Sequence, residues 1–227
     1  MSVLAIVLIG FSSFLVTSHK TYKFTSADLC GLEEYNVDLM TPAFKMEIVR
    51  ANVSSAFRYW DGSKNKRKEK FVMETAPIAV YNYIFADGVL PSVTLSMAGM
   101  ESGWCKTNSC KNRHNIFNVK SNKLGCKPGK CSHKVPCTNL HDDNKWDMFR
   151  GFETRWQAFA FQNDLMHTKR YKGALNLNTS KDQITYIRNA GYATLDKKLY
   201  VSRHYRIAKD LAFLDEMAKN LKKELLP

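Results

Sequence analysis

The stretch Pro91-Ser-Val-Thr-Leu-Ser-Met-Ala-Gly-Met-Glu-Ser-Gly-Trp-Cys105 contains a single charged residue, Glu101. Proline favours the first helical position and glycine a C-terminal stop, so the stretch predicts a helix that opens at Pro91 and ends at Gly103. Val93, Met97 and Met100 mark its buried side. Glu101 lies four residues after Met97, on or beside the same face. A carboxylate there costs free energy unless something pairs with it or uses it. The helix C terminus disfavours negative charge, and apolar neighbours add to that, so the Glu101 pKa is expected to rise. A carboxyl that keeps its proton near neutral pH is what a general acid requires.

The chain around this helix has 227 residues, 44% of them hydrophobic, which suits one domain with a sizeable core. Its formal net charge of +13 fits an anionic partner: a polyanionic wall, an acidic membrane or nucleic acid. No helix-turn-helix, zinc-finger or RNA-recognition signature accompanies the charge, so no nucleic-acid partner is expected. The densest basic run, Lys64-Asn-Lys-Arg-Lys-Glu-Lys70, reads as a solvated loop or an electrostatic contact with an anionic surface. Residues 3–16 form an apolar run too short for a comfortable membrane span. Residues 1–20 are therefore read as an export signal or a weak N-terminal membrane anchor.

Five of the six cysteines (Cys105, Cys110, Cys126, Cys131 and Cys137) share one short polar segment, with Cys30 apart. His114 and His133 make zinc conceivable, but the spacings lack the C-x2-C knuckles of common zinc sites. Disulfides are favoured, in keeping with export, and their connectivity stays open.

Helical periodicity recurs along the rest of the chain. Thr41-Pro42 caps a helix that Asp61-Gly62 stops. A second helix spans about Phe71 to Phe85. From Lys106 to about Trp146, short β-prone pieces (Ile116 to Lys120, Lys134 to Thr138, Trp146 to Phe149) alternate with turn residues and predict a small hairpin. A helix from about Thr154 to His167 follows, then one opening at Ser180 in the box S-K-D-Q and stopping at Gly191, then one from Lys198 to Leu225. The fold class is α+β, mostly helical, with a small β-hairpin subdomain. Glu153 and Asp147 read as surface or capping charges, Phe149 and Arg150 as bracing for the hairpin, and Trp156 and Phe159 as core.

Four motifs in order, G-M-E-S-G-W, R-H-N-I-F-N-V-K, F-R-G-F and N-A-G-Y-A-T, resemble those of the peptidoglycan N-acetylglucosaminidases of glycoside hydrolase family 73, which includes flagellar-type wall hydrolases and phage and bacterial autolysins. The resemblance runs from about Ala76 to Ala212. It implies a lysozyme-like fold over residues 76–227; residues 21–75 lie outside the resemblance and are read as an N-terminal helical extension. It also implies hydrolysis of the β-1,4 bond on the reducing side of N-acetylglucosamine in peptidoglycan glycan strands, without metal or organic cofactor. By resemblance, Glu101 is the general acid and Tyr192 the tyrosine near the scissile bond. Asn115 and Phe117 shape the cleft floor. Trp104, by its position, supports the acid or the sugar face, and Tyr200 is a displaced second tyrosine at the substrate.

Glycoside hydrolysis ordinarily uses two carboxylates. The family's second acid lies in the hairpin before F-R, where this chain has Asp142 and Asp143. In a strand they point opposite ways, so at most one faces the cleft. Asp142 is preferred, with an ordinary Asp-Asp-Asn turn as the alternative. In that case the substrate's acetamido group would act as nucleophile. The chain departs from the family pattern where Cys105 and Asn118 replace glycines, and this bears on the cleft edge. Rival readings are a lytic transglycosylase, whose usual downstream G-x-M-Q element is absent, a muramidase, and an inactive wall-binding or virion structural protein of the same fold. An enzyme of this kind is expected in the cell envelope or outside the cell, or on the virion if phage-encoded.

Overall fold

The computed structural model describes residues 41–120, 138–140 and 147–226. Helix α1 (Pro42–Phe57) begins as predicted, with the Thr41 hydroxyl accepting from the Phe44 N–H at 3.3 Å. Helix α2 (Lys66–Phe85) begins five residues before the expected start. The basic run expected as a loop is its first turn. Asn65 caps it, accepting from the Arg67 and Lys68 N–H groups. Lys66–Glu69 and Lys70–Glu74 ion pairs lie along the new turn. Residues spaced three and four apart face each other on a helix, which turns a charge run into a stable helical surface. The helix runs through residue 75 without a break.

Helix α3 (Pro91–Ser102) is the one that decides the fold. Pro91 through Gly99 are all buried, so α3 is enclosed on every side. Around it pack α2, α6 (Ser180–Asn189), α7 (Lys197–Asp210) and α8 (Ala212–Leu225). Two of its buried hydroxyls are satisfied locally: Ser96 Oγ donates to the Val93 carbonyl at 2.8 Å and Ser102 Oγ to the Ala98 carbonyl at 2.7 Å. At its N terminus Asp215, on α8, accepts from the Ser92 N–H at 2.8 Å and the Ser92 hydroxyl at 2.6 Å. His204, on α7, lies 3.4 Å from Ser96 Oγ and against the Tyr200 ring. One hydrophobic core joins all of these to Ile48, Val49 and Val53 of α1.

Helix α4 (Asn108–Arg113) was not anticipated from the sequence. Of the expected hairpin, β1 (Thr138–Leu140) pairs antiparallel with β2 (Asp147–Phe149), and Lys120 makes a single bridge to Phe149; the piece expected from Lys134 lies outside the described residues up to Thr138. Residues 116–119 are turn or irregular backbone. Asp147 is not a surface charge: it is 3% exposed and pairs with Lys120 at 2.9 Å. Helix α5 (Arg155–His167) follows, then a 3-10 segment at Lys172–Asn176. The box at the head of α6 is shifted by one residue, since Thr179 and not Ser180 is the cap and its hydroxyl accepts from the Asp182 N–H. The single last helix expected from Lys198 to Leu225 is two, α7 and α8, broken at Leu211. Among the described residues no helix is long and apolar enough to cross a membrane.

Two buried titratable groups that flank α3 oppose each other. Burial pushes His204 from its ordinary 6.5 down to about 4. The stability it carries is present above pH 6.5 and lost as pH falls toward 4. Burial outweighs the Ser92 hydrogen bonds and pushes Asp215 from 3.8 up to about 6. Its contribution is present below pH 3.8 and lost as pH rises through 6. Between pH 4 and 6 the two nearly cancel. Asp215→Asn keeps the Ser92 contacts and removes one side of the balance. The melting temperature of that variant, followed by circular dichroism, should fall on acidification by the equivalent of about 2 kcal/mol, while His204→Gln should gain stability over the same range. Parallel pH profiles for the wild type and both variants would refute this assignment.

Candidate active site

The site begins at the C-terminal end of α3. Gly103, Trp104 and Cys105 form a run of left-handed residues, with φ of 58°, 58° and 57°. Such a run reverses the chain within one turn, and it is fastened from both ends. The Trp104 N–H donates to the Gly99 carbonyl at 2.8 Å, and the Cys105 N–H donates to Ser102 Oγ at 2.9 Å. The Trp104 ring folds back along the helix against Gly99, where a Cβ would sit only 2.2 Å from the ring. Phe71 meets the ring edge-on at 5.8 Å, and Lys68 Nζ lies 5.4 Å from its centroid. A Cys105–Cys110 disulfide, Cα atoms 5.2 Å apart, joins the turn to α4. Glu101, half-buried, sits just ahead of this reversal.

The second wall comes from the loop after α4. The Asn115 amide clasps Val119, its oxygen accepting from the Val119 N–H at 2.8 Å and its nitrogen donating to the Val119 carbonyl at 3.1 Å. Phe117 packs edge-on against Phe159 at 5.1 Å. Asn115 and Phe117 are 1% and 3% exposed. Their burial means that they shape this loop through packing and through the clasp on Val119. Asn118, between Phe117 and Val119, is left-handed, with φ of 53°.

The third wall carries phenols. Tyr192, which follows α6, donates to Gln162 Oε1 at 3.3 Å and packs near Tyr171. Tyr200, on α7, is only 2% exposed. Burial raises the pKa of both Tyr192 and Tyr200, and the Glu101 carboxylate is the next cause for each. Both phenols therefore keep their protons and share the electrostatic surroundings of Glu101. Tyr200 Oη and Gln162 Nε2 are buried with no hydrogen-bond partner among the described residues.

The structure thus brings together Glu101, Tyr192 and Tyr200, with Trp104 packed behind the turn that carries the acid. Asp142 and Asp143 lie outside the described residues, as do Cys126, Cys131 and Cys137. Gln162 and Tyr171 were missed. The available signal for Gln162 was an amide between Phe159 and Met166 on the buried side of α5. Arg150 stacks on Phe152 and Phe161, as expected of a brace. Among the described residues no group of three or more His, Cys, Asp or Glu side chains is placed to hold a metal ion.

The contact between Trp104 and Gly99 yields a direct test. Gly99→Ala puts a methyl into the indole ring, and the ring cannot stay where it is. The variant should lose about 1–3 kcal/mol of stability, and its tryptophan fluorescence should shift as the ring is displaced. An unchanged melt and spectrum would show that the turn does not depend on this packing.

A family model described as Glucosaminidase, mannosyl-glycoprotein endo-beta-N-acetylglucosaminidase, matches residues 79–212. Among solved structures, the fold is similar to the catalytic domain of the autolysin Auto from Listeria monocytogenes, at 18% identity and a TM-score of 0.52, covering 72% of this chain and 94% of that one. The glycoside hydrolase domain of Salmonella typhimurium FlgJ matches at 21% identity and a TM-score of 0.48, over 70% and 97% of the two chains. A peptidoglycan hydrolase from Sphingomonas sp. A1 matches at 22% and 0.49, over 67% and 94%. No curated protein matches the sequence significantly. The family match spans more than half of the chain and takes in the acid helix, the cleft floor and the phenol wall, so the chain belongs to the glucosaminidase family and is a glycoside hydrolase.

Proposed function

We propose that the chain hydrolyses the β-1,4 bond on the reducing side of N-acetylglucosamine in peptidoglycan, with Glu101 as general acid. The observation that carries this reading is the placement of one half-buried carboxyl at the end of an enclosed helix, facing two phenols that hold their protons. The autolysin title of the similar Listeria structure favours a wall substrate.

In this mechanism Glu101 gives its proton to the leaving glycosidic oxygen as the bond breaks, and positive charge spreads over the sugar ring. A carboxylate on the opposite face completes the reaction. Asp142 or Asp143, in the connection between β1 and β2, takes that role. It acts as base toward water or as stabiliser of the charged ring. Tyr192, fixed through Gln162, lines the cleft beside the acid and excludes water. Residues 3–16 supply the export signal or weak anchor that delivers the enzyme to the envelope. The Cys105–Cys110 bridge suits an oxidising compartment of that kind.

The test digests purified peptidoglycan with the wild type and with Glu101→Gln and identifies the new ends by mass spectrometry. Reducing N-acetylglucosamine ends are expected from the wild type, with the variant slower by about 10²–10⁴-fold. Reducing muramic ends would make the chain a muramidase, and anhydromuramic ends a transglycosylase. Full activity in the variant would remove Glu101 from the chemistry.

A further inference from the structure

Helix α7 has two faces with different chemistry. Its inner face carries Tyr200, His204, Ile207 and Ala208 into the core. Its outer face forms, with α6, a groove of about 630 Å³. Five cations line it: Lys181, Lys197, Lys198, Arg206 and Lys209. Val201 and Tyr205 supply an apolar strip, and no carboxylate lines the groove. The Lys181 ammonium lies 5.9 Å from the Tyr205 ring centroid.

Some cations elsewhere pair with carboxylates: Lys68 with Asp210, Lys120 with Asp147, Arg155 with Glu74, Lys222 with Asp87. Among the described residues, none of the five groove cations makes an ion pair. Clustered like charges repel and weaken the folded state unless counter-charge comes from outside. Four of the five are lysines, compact point charges on flexible stems. Such a set responds to the density of negative charge, not to the planar geometry of one carboxylate.

We propose that this groove is a second binding site, distinct from the cleft at Glu101, for a phosphodiester-linked polymer carried on the same wall as the substrate. This rests on the wall reading given above. Closely repeated phosphates would meet the five cations, and the polyol or sugar between them would lie on Val201 and Tyr205. A single-stranded nucleic acid is less well served, because its bases need a series of aromatic platforms and the groove offers one. Binding here would keep the enzyme on the wall between cleavage events without occupying the cleft.

The experiment compares the full chain with the triple variant Lys198→Ala/Arg206→Ala/Lys209→Ala. All three side chains are exposed, and a thermal melt checks that the fold is kept. Binding is measured by co-sedimentation, at moderate salt, with bacterial walls that retain their polyol-phosphate polymers. The same walls stripped of phosphodiesters by hydrofluoric acid serve as the comparison. The wild type should bind intact walls at least about tenfold more tightly than stripped ones. The variant should bind both as the wild type binds stripped walls, with turnover of soluble peptidoglycan fragments unchanged. Equal binding of wild type and variant to intact walls would overturn the proposal. So would a loss that persists in full on stripped walls, which would assign the groove to peptide carboxylates. Tighter binding by the wild type to oligothymidylate or to phosphatidylglycerol vesicles would overturn it in favour of those partners. Absent turnover of stripped walls, with polymer binding intact, would remove the enzymatic reading and leave the groove as a polymer site.

Discussion

The contact between Asp215 and Ser92 closes the structure around its central helix. A helix enclosed on all sides must satisfy its terminal N–H groups without water. Leu90, which precedes α3, has no side chain able to cap it. Asp215 supplies the missing acceptor from 123 residues away, bonding both the N–H and the hydroxyl of Ser92. The carboxylate is buried to do so, which is why its pKa rises. One hydrogen-bonded pair therefore fixes α8 against the N-terminal end of α3, the helix that carries Glu101 at its other end. Gln183 adds a second long-range contact at the same place, accepting from the Leu90 N–H at 2.9 Å.

The legible part of this architecture was the part written in short-range chemistry. Pro91 and Gly103 bound the acid helix in the sequence as they do in the structure. Thr41 caps α1 for a reason visible in two letters, a hydroxyl followed by proline. What escaped was set by contacts between elements. The basic run before Phe71 looks like a loop until Glu69 and Glu74 are placed one turn from their lysines and Asp210 comes across to Lys68. Asp147 looks like a surface charge until Lys120 is brought beside it. The break at Leu211 has no glycine or proline to announce it; Leu211 is itself fully buried, and the chain turns there to keep both helices on the core.

The site divided along the same line. Glu101 was legible because its helix was. Tyr192 and Tyr200 were placed through ordered motifs, and the structure adds that both lie within the electrostatic reach of the acid. Gln162 could not be singled out, because an amide on a helix acquires meaning only when a phenol from 30 residues away bonds to it.

The two departures from the family's glycines carry a further argument. Glycine is ordinarily used where φ must be positive, since any Cβ is strained there. Cys105 and Asn118 stand where the resemblance leads one to expect glycine, and both keep the left-handed backbone, at 57° and 53°. Each position carries a side chain in a backbone conformation that strains it, so something else must hold it. Asparagine tolerates this region better than most residues, and the Asn115 clasp on Val119 fixes the backbone on its far side. Cysteine has no such tolerance, but Cys105 is bonded through its sulfur to Cys110 and through its N–H to Ser102. A covalent link and a hydrogen bond do at Cys105 what the absence of a side chain does in glycine. At Cys105 the turn behind Glu101 is thereby held by cross-linking, where at Gly103 it is held by backbone freedom.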